Sequence, residues 1–375
     1  MKKIIKFSCL ALLPALFFSA CKPDEVFTEQ TQQTIPEKFI EFKGMSVRLP
    51  EGVSDKCITL ESHQELIKFA VDFMGKPNGR VSGEEFITKI PSLVIMEILQ
   101  KESKKYPTRI FAKEALDESI FLRLKKDFPQ IKTQKEAIEK SEIIAAYYDG
   151  LLRNDLLREL KNYKPGNKRV SYFDGFNPPA GWGWIAILYP YTTLVVGIQA
   201  DNAKNSSNNN YPDGHTDGTP SNAFRHSLWN ALSVANMRES GYSKNSALTN
   251  VRDLTSAYEA VAVVPSYAYS TLPSGSLSFL GDLAIIQSRN TSTSMDLSNN
   301  LVGRTYIHQN MGFWPWQVPL MPTIYNELFN KSMAISSTSN LSSILGTYNS
   351  NTNDAWNILY GWHYDDTYRA LVKIQ

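Results

Sequence analysis

Cysteine is scarce. Of three cysteines in 375 residues, two fall within the first 21 positions and only Cys57 lies beyond them. A single thiol makes no internal disulfide and no cysteine-based zinc site. It sits in "KCITL", which reads as a strand with the cysteine as a small buried hydrophobe. Charge of one sign is missing too. Thirty-nine Lys and Arg against 37 Asp and Glu leave a net +2, with no basic stripe, and this excludes nucleic-acid binding built on electrostatics. No segment after the N-terminus is apolar for long enough to span a bilayer. A GxSxG nucleophile elbow, a phosphate loop and a dinucleotide fingerprint are all absent, as is any internal repeat. What remains is a chain of 42% apolar residues, enough for one large domain or two modest ones.

The first 20 residues are of a different kind. Lys2, Lys3 and Lys6 precede an apolar run from Phe7 to Phe18, broken by Pro14. That is the layout of a secretory signal peptide. It ends in "FSAC", with small Ser19 and Ala20 before Cys21. This resembles the lipobox of bacterial lipoproteins, with Phe18 in place of the usual leucine. The resemblance implies cleavage before Cys21, acylation of that residue, and anchoring in the outer membrane of a cell envelope. Each buried methylene of the acyl chains adds about 0.8 kcal/mol to anchoring. "KPDE" (Lys22–Glu25) resembles the surface-export signal of Bacteroidota lipoproteins. It reads equally well as a polar tether, so the periplasmic and outer faces both stay open.

Residues 21–37 read as a tether. From 38 to 165 the pattern predicts a small α+β region, mostly helical. It opens with a hairpin turning at Lys43-Gly44, and "SHQE" (Ser62–Glu65) has capping-box spacing. His63 falls in that first turn and reads as solvated. Apolar residues recur at three- and four-residue steps through "IPSLVIMEILQKESKKY" and "EAIEKSEIIAAYYDGLLRNDLLRELKNY", and the lysines and glutamates between them read as solvated faces. "KPGNKR" marks a boundary. Residues 166–310 then read as a helical domain, including a buried helix broken near Pro190, and 311–375 as an aromatic-rich cover. The fold class is therefore mainly α: a helical C-terminal domain preceded by a small α+β region.

Chemistry concentrates in the second part. In "NAFRHSLWNAL" (Asn222–Leu232), one of only five histidines sits between asparagines four residues to either side. Asn222, His226 and Asn230 thus share one helical stripe, and Arg225 and Trp229 share the next. Ser221 or Asn222 is the expected cap, which puts His226 near the positive end of the helix dipole and favours its neutral form. "VRDLTSAYEA" places Glu259 on a second helix, and "MDLSNNLVGR" places Asp296, Asn299, Asn300 and Arg304 on a third. Between Val261 and Gly303 the only charges are Asp282, Arg289 and Asp296, so each buried one needs a reason. A neutral imidazole beside a carboxylate suits a general base, and a His with two carboxylates suits a divalent cation. The same set also suits a buried hydrogen-bond network that fixes helix registers.

The order of these motifs resembles an uncharacterised bacterial family, a domain of unknown function with the pattern NAxRHxxW, a later HE pair, then MDxxNNxxGR. The likeness spans roughly residues 180–310. It implies site residues Asn222, Arg225, His226, Trp229, Glu259, Asp296, Asn300 and Arg304. Tyr258 stands where that pattern has histidine, which puts a metal role in doubt. "DGHTDGTPSNAFRHSLWN" is also faintly similar to bacterial and fungal phospholipases A2, which implies His226 as the base that activates water. Ser227 in place of the family's aspartate removes a charged calcium ligand.

Two functions follow as expectations. One is a lipid-anchored envelope hydrolase of phospholipase type, with His226, Glu259 and Asp296 catalytic and Asn222, Arg225, Trp229, Asn300 and Arg304 in support. The other is a non-enzymatic binding or assembly module in which those residues form a structural network. The ligand classes left open are lipid, glycan and protein. The aromatic C-terminal stretch with "FWPWQVP" is expected to be mostly buried.

Overall fold

The computed structural model describes residues 37–76, 81–164, 182–212, 214, 216–261, 291–335 and 371, without the side chains of 257, 259–261 and 291–294. Cys21 and the tether lie outside the described residues, as do the residues around "KPGNKR" and most of the last 40. Described residues from Glu37 on belong to one compact unit.

The chain enters as a hairpin, β1 (Lys38–Phe42) and β2 (Met45–Leu49), paired antiparallel with Phe42 opposite Met45. The turn is Lys43-Gly44, both at positive φ (50° and 77°), the conformation a two-residue hairpin requires and glycine adopts freely. Among the described residues these are the only strands. Everything else regular is helix, so the mainly α expectation with a small α+β start holds. The first half runs α1 (Lys56–Thr59), α2 (His63–Met74), α3 (Gly83–Lys89), α4 (Ser92–Ser103), α5 (Glu118–Asp127), α6 (Gln134–Glu139) and α7 (Ser141–Lys161). The second half runs α8 (Trp182–Leu188), α9 (Pro190–Asn210), α10 (Pro220–Glu239), α11 (Lys244–Val261), α12 (Thr291–Asn310) and α13 (Met321–Met333).

Several local expectations are corrected. "KCITL" is the short helix α1, not a strand. Cys57 is nonetheless fully buried, and burial pushes its thiol up to about 12. Ser62 precedes α2 without a side-chain cap bond, so the capping box does not form there; Thr133 and Glu136 form one at α6. His63 is half-buried, not solvated, with its Nε2 2.9 Å from the Tyr189 hydroxyl.

Nor are the charges of 84–165 all on wet faces. Glu102, Asp127, Arg153 and Asp155 are buried. Each is partnered: Glu102 with Lys101 and Lys105, Asp127 with Arg48, Asp155 with Arg158. Arg153 does the most. Its guanidinium donates to Cys57 O (2.6 Å), Ile187 O (2.7 Å) and Leu188 O (2.9 Å), and meets Asp149 at 3.1 Å. Asp149 in turn accepts from Tyr191 N at 2.9 Å. One i,i+4 pair on α7 therefore satisfies the end of α8 and the start of α9. The break between those two helices bends them by 119° at Pro190, which has no N–H to continue a helix. Among the described residues no single helix is long and apolar enough to cross a membrane, although this bent pair passes on length and composition.

A continuous apolar core runs from Cys57 to Leu328 through both halves. Its centre is α10, which packs against α9, α11, α12 and α13. The closest of these contacts is with α12. A Cβ on Gly303 would lie 2.0 Å from Ser227 O, so only glycine lets the two backbones approach this far.

Candidate active site

The three motif helices do meet. His226 on α10 is 2% exposed. Its Nδ1 lies 3.2 Å from Asn300 Oδ1 on α12. Asn300 Oδ1 also accepts from Asn230 Nδ2 at 2.6 Å, and Asn230 Oδ1 accepts from Arg304 Nη1 (2.7 Å) and Thr255 Oγ1 (3.1 Å). Read in sequence, these bonds assign the tautomer. Arg304 can only donate, so Asn230 presents its oxygen to it and its amide to Asn300. Asn300 then presents an oxygen to His226, whose Nδ1 must carry the proton.

Nε2 is left as the acceptor. It accepts from Arg225 Nη2 at 2.7 Å; Asp296 Oδ1, 3.0 Å away, is also an acceptor and pairs with Nε2 only when the ring is protonated. Burial, and after it the Arg225 guanidinium, hold His226 well below the ordinary imidazole value, while the Asn300 contact acts the other way. The helix dipole is not the cause. The N-cap is Thr219, with Pro220 in the first turn. That start is upstream of the expected Ser221 or Asn222, so His226 lies past the turn where the dipole acts.

The remaining expected residues are placed as follows. Asn222 points to the loop before α10, donating to Asp217 Oδ1 at 3.1 Å, and does not bond His226. Trp229 donates to Val196 O at 2.8 Å, and its ring centre is 6.0 Å from that of His226. Glu259 lies on α11, with its side chain outside the described atoms. Tyr258, where the resemblance has histidine, packs edge-on to Trp229 at 5.5 Å and to Trp182 at 6.2 Å. Asn230 and Thr255 were not among the expected site residues, yet they are the hub of the network. Thr255 stands one turn before Glu259 on the same face, so i−4 spacing could have found it.

Three buried atoms around this centre have no hydrogen-bond partner among the described residues: Asn222 Oδ1, Arg225 Nε and Asn300 Nδ2. Such groups call for a reason, because each costs about 1–3 kcal/mol unpaired. Of these three residues Arg225 lines a crevice of about 10 Å³, together with Ala200, Trp229 and Tyr258, the scale of one water. A divalent cation fits poorly at the imidazole. Nδ1 is committed to Asn300, and Nε2 already faces a guanidinium that would repel a second cation. Among the described residues no three His, Cys, Asp or Glu gather closely enough to form a metal cluster.

Residues 183–331 match the model of a domain of unknown function, DUF6973. This region runs from α8 into α13 and contains His226, Asp296 and every partner described for them. No curated protein and no solved structure matches the chain.

Proposed function

We propose that this protein is a lipid-anchored envelope hydrolase of phospholipase type whose base is His226, held latent by Arg225. The observation that carries this reading is the His226 Nε2 accepting from a guanidinium with a carboxylate 3.0 Å away, where that same Arg225 lines a water-sized crevice. Arg225 is loosely held from the other side. Its contact with Asp217, 3.9 Å away, is with a side chain that is itself exposed, and such pairs contribute little. An anionic group on the substrate, such as a phospholipid phosphate, draws the guanidinium off the imidazole. That frees the lone pair and removes the charge that depresses its basicity. Nε2 then takes a proton from water, the hydroxide adds to the ester carbonyl, and the imidazolium returns the proton to the departing alkoxide. Asp296 steadies the imidazolium, and Asn300 keeps the ring in the Nδ1–H tautomer.

A second reading is favoured by closure. His226 is 2% exposed, and the crevice admits only a water. The network then serves to register α10 against α12 in a binding or assembly module, with no turnover.

One experiment separates the two. Fatty-acid release from phosphatidylglycerol vesicles is measured for the wild type, His226→Ala and Arg225→Met, alongside melting temperature. The hydrolase reading expects turnover that falls at least about 100-fold in His226→Ala with little change in melting. It also expects Arg225→Met to lose its preference for anionic over zwitterionic vesicles. No turnover by the wild type, with His226→Ala destabilised by about 1–3 kcal/mol, would establish the structural network instead.

A further inference from the structure

About 18 Å along α10 from His226, at 1.5 Å per residue, lies a second and larger feature. A cleft of about 620 Å³ opens where the α6–α7 junction, the end of α10, the start of α11 and the 313–315 loop converge. Its volume is typical of a small-molecule site, about 300–1,000 Å³.

One wall is aromatic, and within "FWPW" it departs from the expected burial at Phe313 alone: Pro315 is buried, Trp314 and Trp316 are half-buried, and most of the stretch to 375 lies outside the described residues. Phe313 is 82% exposed. It is not a frayed end. Arg238, itself buried, donates to Phe313 O at 2.8 Å. Gly312 N donates to Gln317 O at 2.7 Å, and Trp314 N to Gln317 Oε1 at 3.0 Å. Trp314 stacks on Trp316, with centroids 5.5 Å apart and planes 1° from parallel. With Trp314 and Pro315, Phe313 gives the cleft a contiguous apolar wall, and it is such a patch that marks a contact surface.

The facing wall is polar. Glu139 and Glu142 line it with Lys244, and Glu142 is oriented by the Ser243 and Ser246 hydroxyls. Two acids against Lys244 and Arg238 cancel, so the cleft has no net charge to draw an ionic ligand. Its polar side equally disfavours an acyl chain, which has no partners for those groups.

We infer that this cleft is a binding site for a neutral glycan. The C–H face of a pyranose lies on the exposed Phe313 ring, Trp314 stands edge-on to that ring at 4.9 Å and 81° and borders the sugar, and the sugar hydroxyls donate to Glu139 and Glu142 and accept from Lys244. The site shares no residue with the His226 centre and stands or falls separately from it.

Calorimetric and tryptophan-emission titrations of the full chain with maltohexaose, laminarihexaose, cellohexaose and chitohexaose test this. At least one should bind saturably, with Kd between about 10 μM and 1 mM. Trp314→Ala and Phe313→Ala should each weaken that binding at least about tenfold. Phe313→Ala should keep the wild-type melting temperature, which guards against misfolding as the cause. If none of the four binds at about 10 mM, or if binding persists undiminished in both variants, the inference is wrong.

Discussion

The approach of α12 to α10 can be tested at one atom. Gly303→Ala adds a methyl whose carbon would start 2.0 Å from Ser227 O, 2.8 Å from Ser227 C and 3.0 Å from Ser227 Cα. These are backbone atoms inside a helix, and they have no rotamer to change. Relief requires α12 to retreat by about 1 Å or more, since overpacked cores answer with backbone shifts. Asn300 is three residues before Gly303 and moves with it. Its bonds to Asn230 (2.6 Å) and His226 (3.2 Å) would stretch beyond useful length. Overpacking costs about 1–3 kcal/mol, and each orphaned buried group adds about 1–3. The better helix propensity of alanine returns about 1. The net expectation is a loss of about 3 kcal/mol, or about 5–10 °C in melting temperature for a domain of this size. Thermal melts followed by circular dichroism measure it. An unchanged or higher melting temperature would show that α12 does not rest on Ser227 and would remove the basis for the site geometry.

Two further outcomes follow from buried ionisable groups. His226 and His63 are both held below the ordinary imidazole value by burial. Their folded values lie below their unfolded ones, so the unfolded chain takes up protons first as pH falls. The stability they contribute is therefore complete above pH of about 6.5 and is lost below it, at up to about 1.4 kcal/mol per pH unit for each group. Urea midpoints at neutral and mildly acidic pH should show this slope, and His226→Gln should remove about half of it; an unaltered slope would mean that His226 is not buried neutral. Arg153→Met strands three carbonyls and the Asp149 carboxylate, for an expected loss of about 3–5 kcal/mol. Arg153→Lys should recover only part of this, because an ammonium lacks the planar fork. A loss under about 1 kcal/mol in the same urea assay would refute the role of Arg153 in holding the α8–α9 break.

What the sequence made legible follows from where the physics is local. The hairpin was readable because Lys43-Gly44 is a turn signal complete within two residues. The break at Pro190 was readable because a missing N–H acts on its own helix. The stripe of Asn222, His226 and Asn230 was readable from i,i+4 spacing, as was the shared face of Asp296 and Asn300. Misreadings arose where a partner distant in sequence decides the outcome. Arg153 looks like a surface residue of an amphipathic helix until α1 and α8 bring three carbonyls to it. Phe313 looks like core until Arg238, 75 residues away, fixes its carbonyl and leaves the ring outside.

The cause of His226's neutral state was misassigned for the same reason. Sequence spacing suggested a nearby helix start, but Thr219 caps the helix earlier, and the effect comes instead from burial and the adjacent guanidinium. That substitution of causes matters chemically. A dipole is a fixed feature of the fold, whereas Arg225 is a side chain with a weak outer tether. A histidine kept neutral by a dipole would be permanently poised. One held down by burial and by Arg225 stays latent while that arginine is in place and gains basicity when it leaves, so its basicity depends on whatever anion competes for the guanidinium.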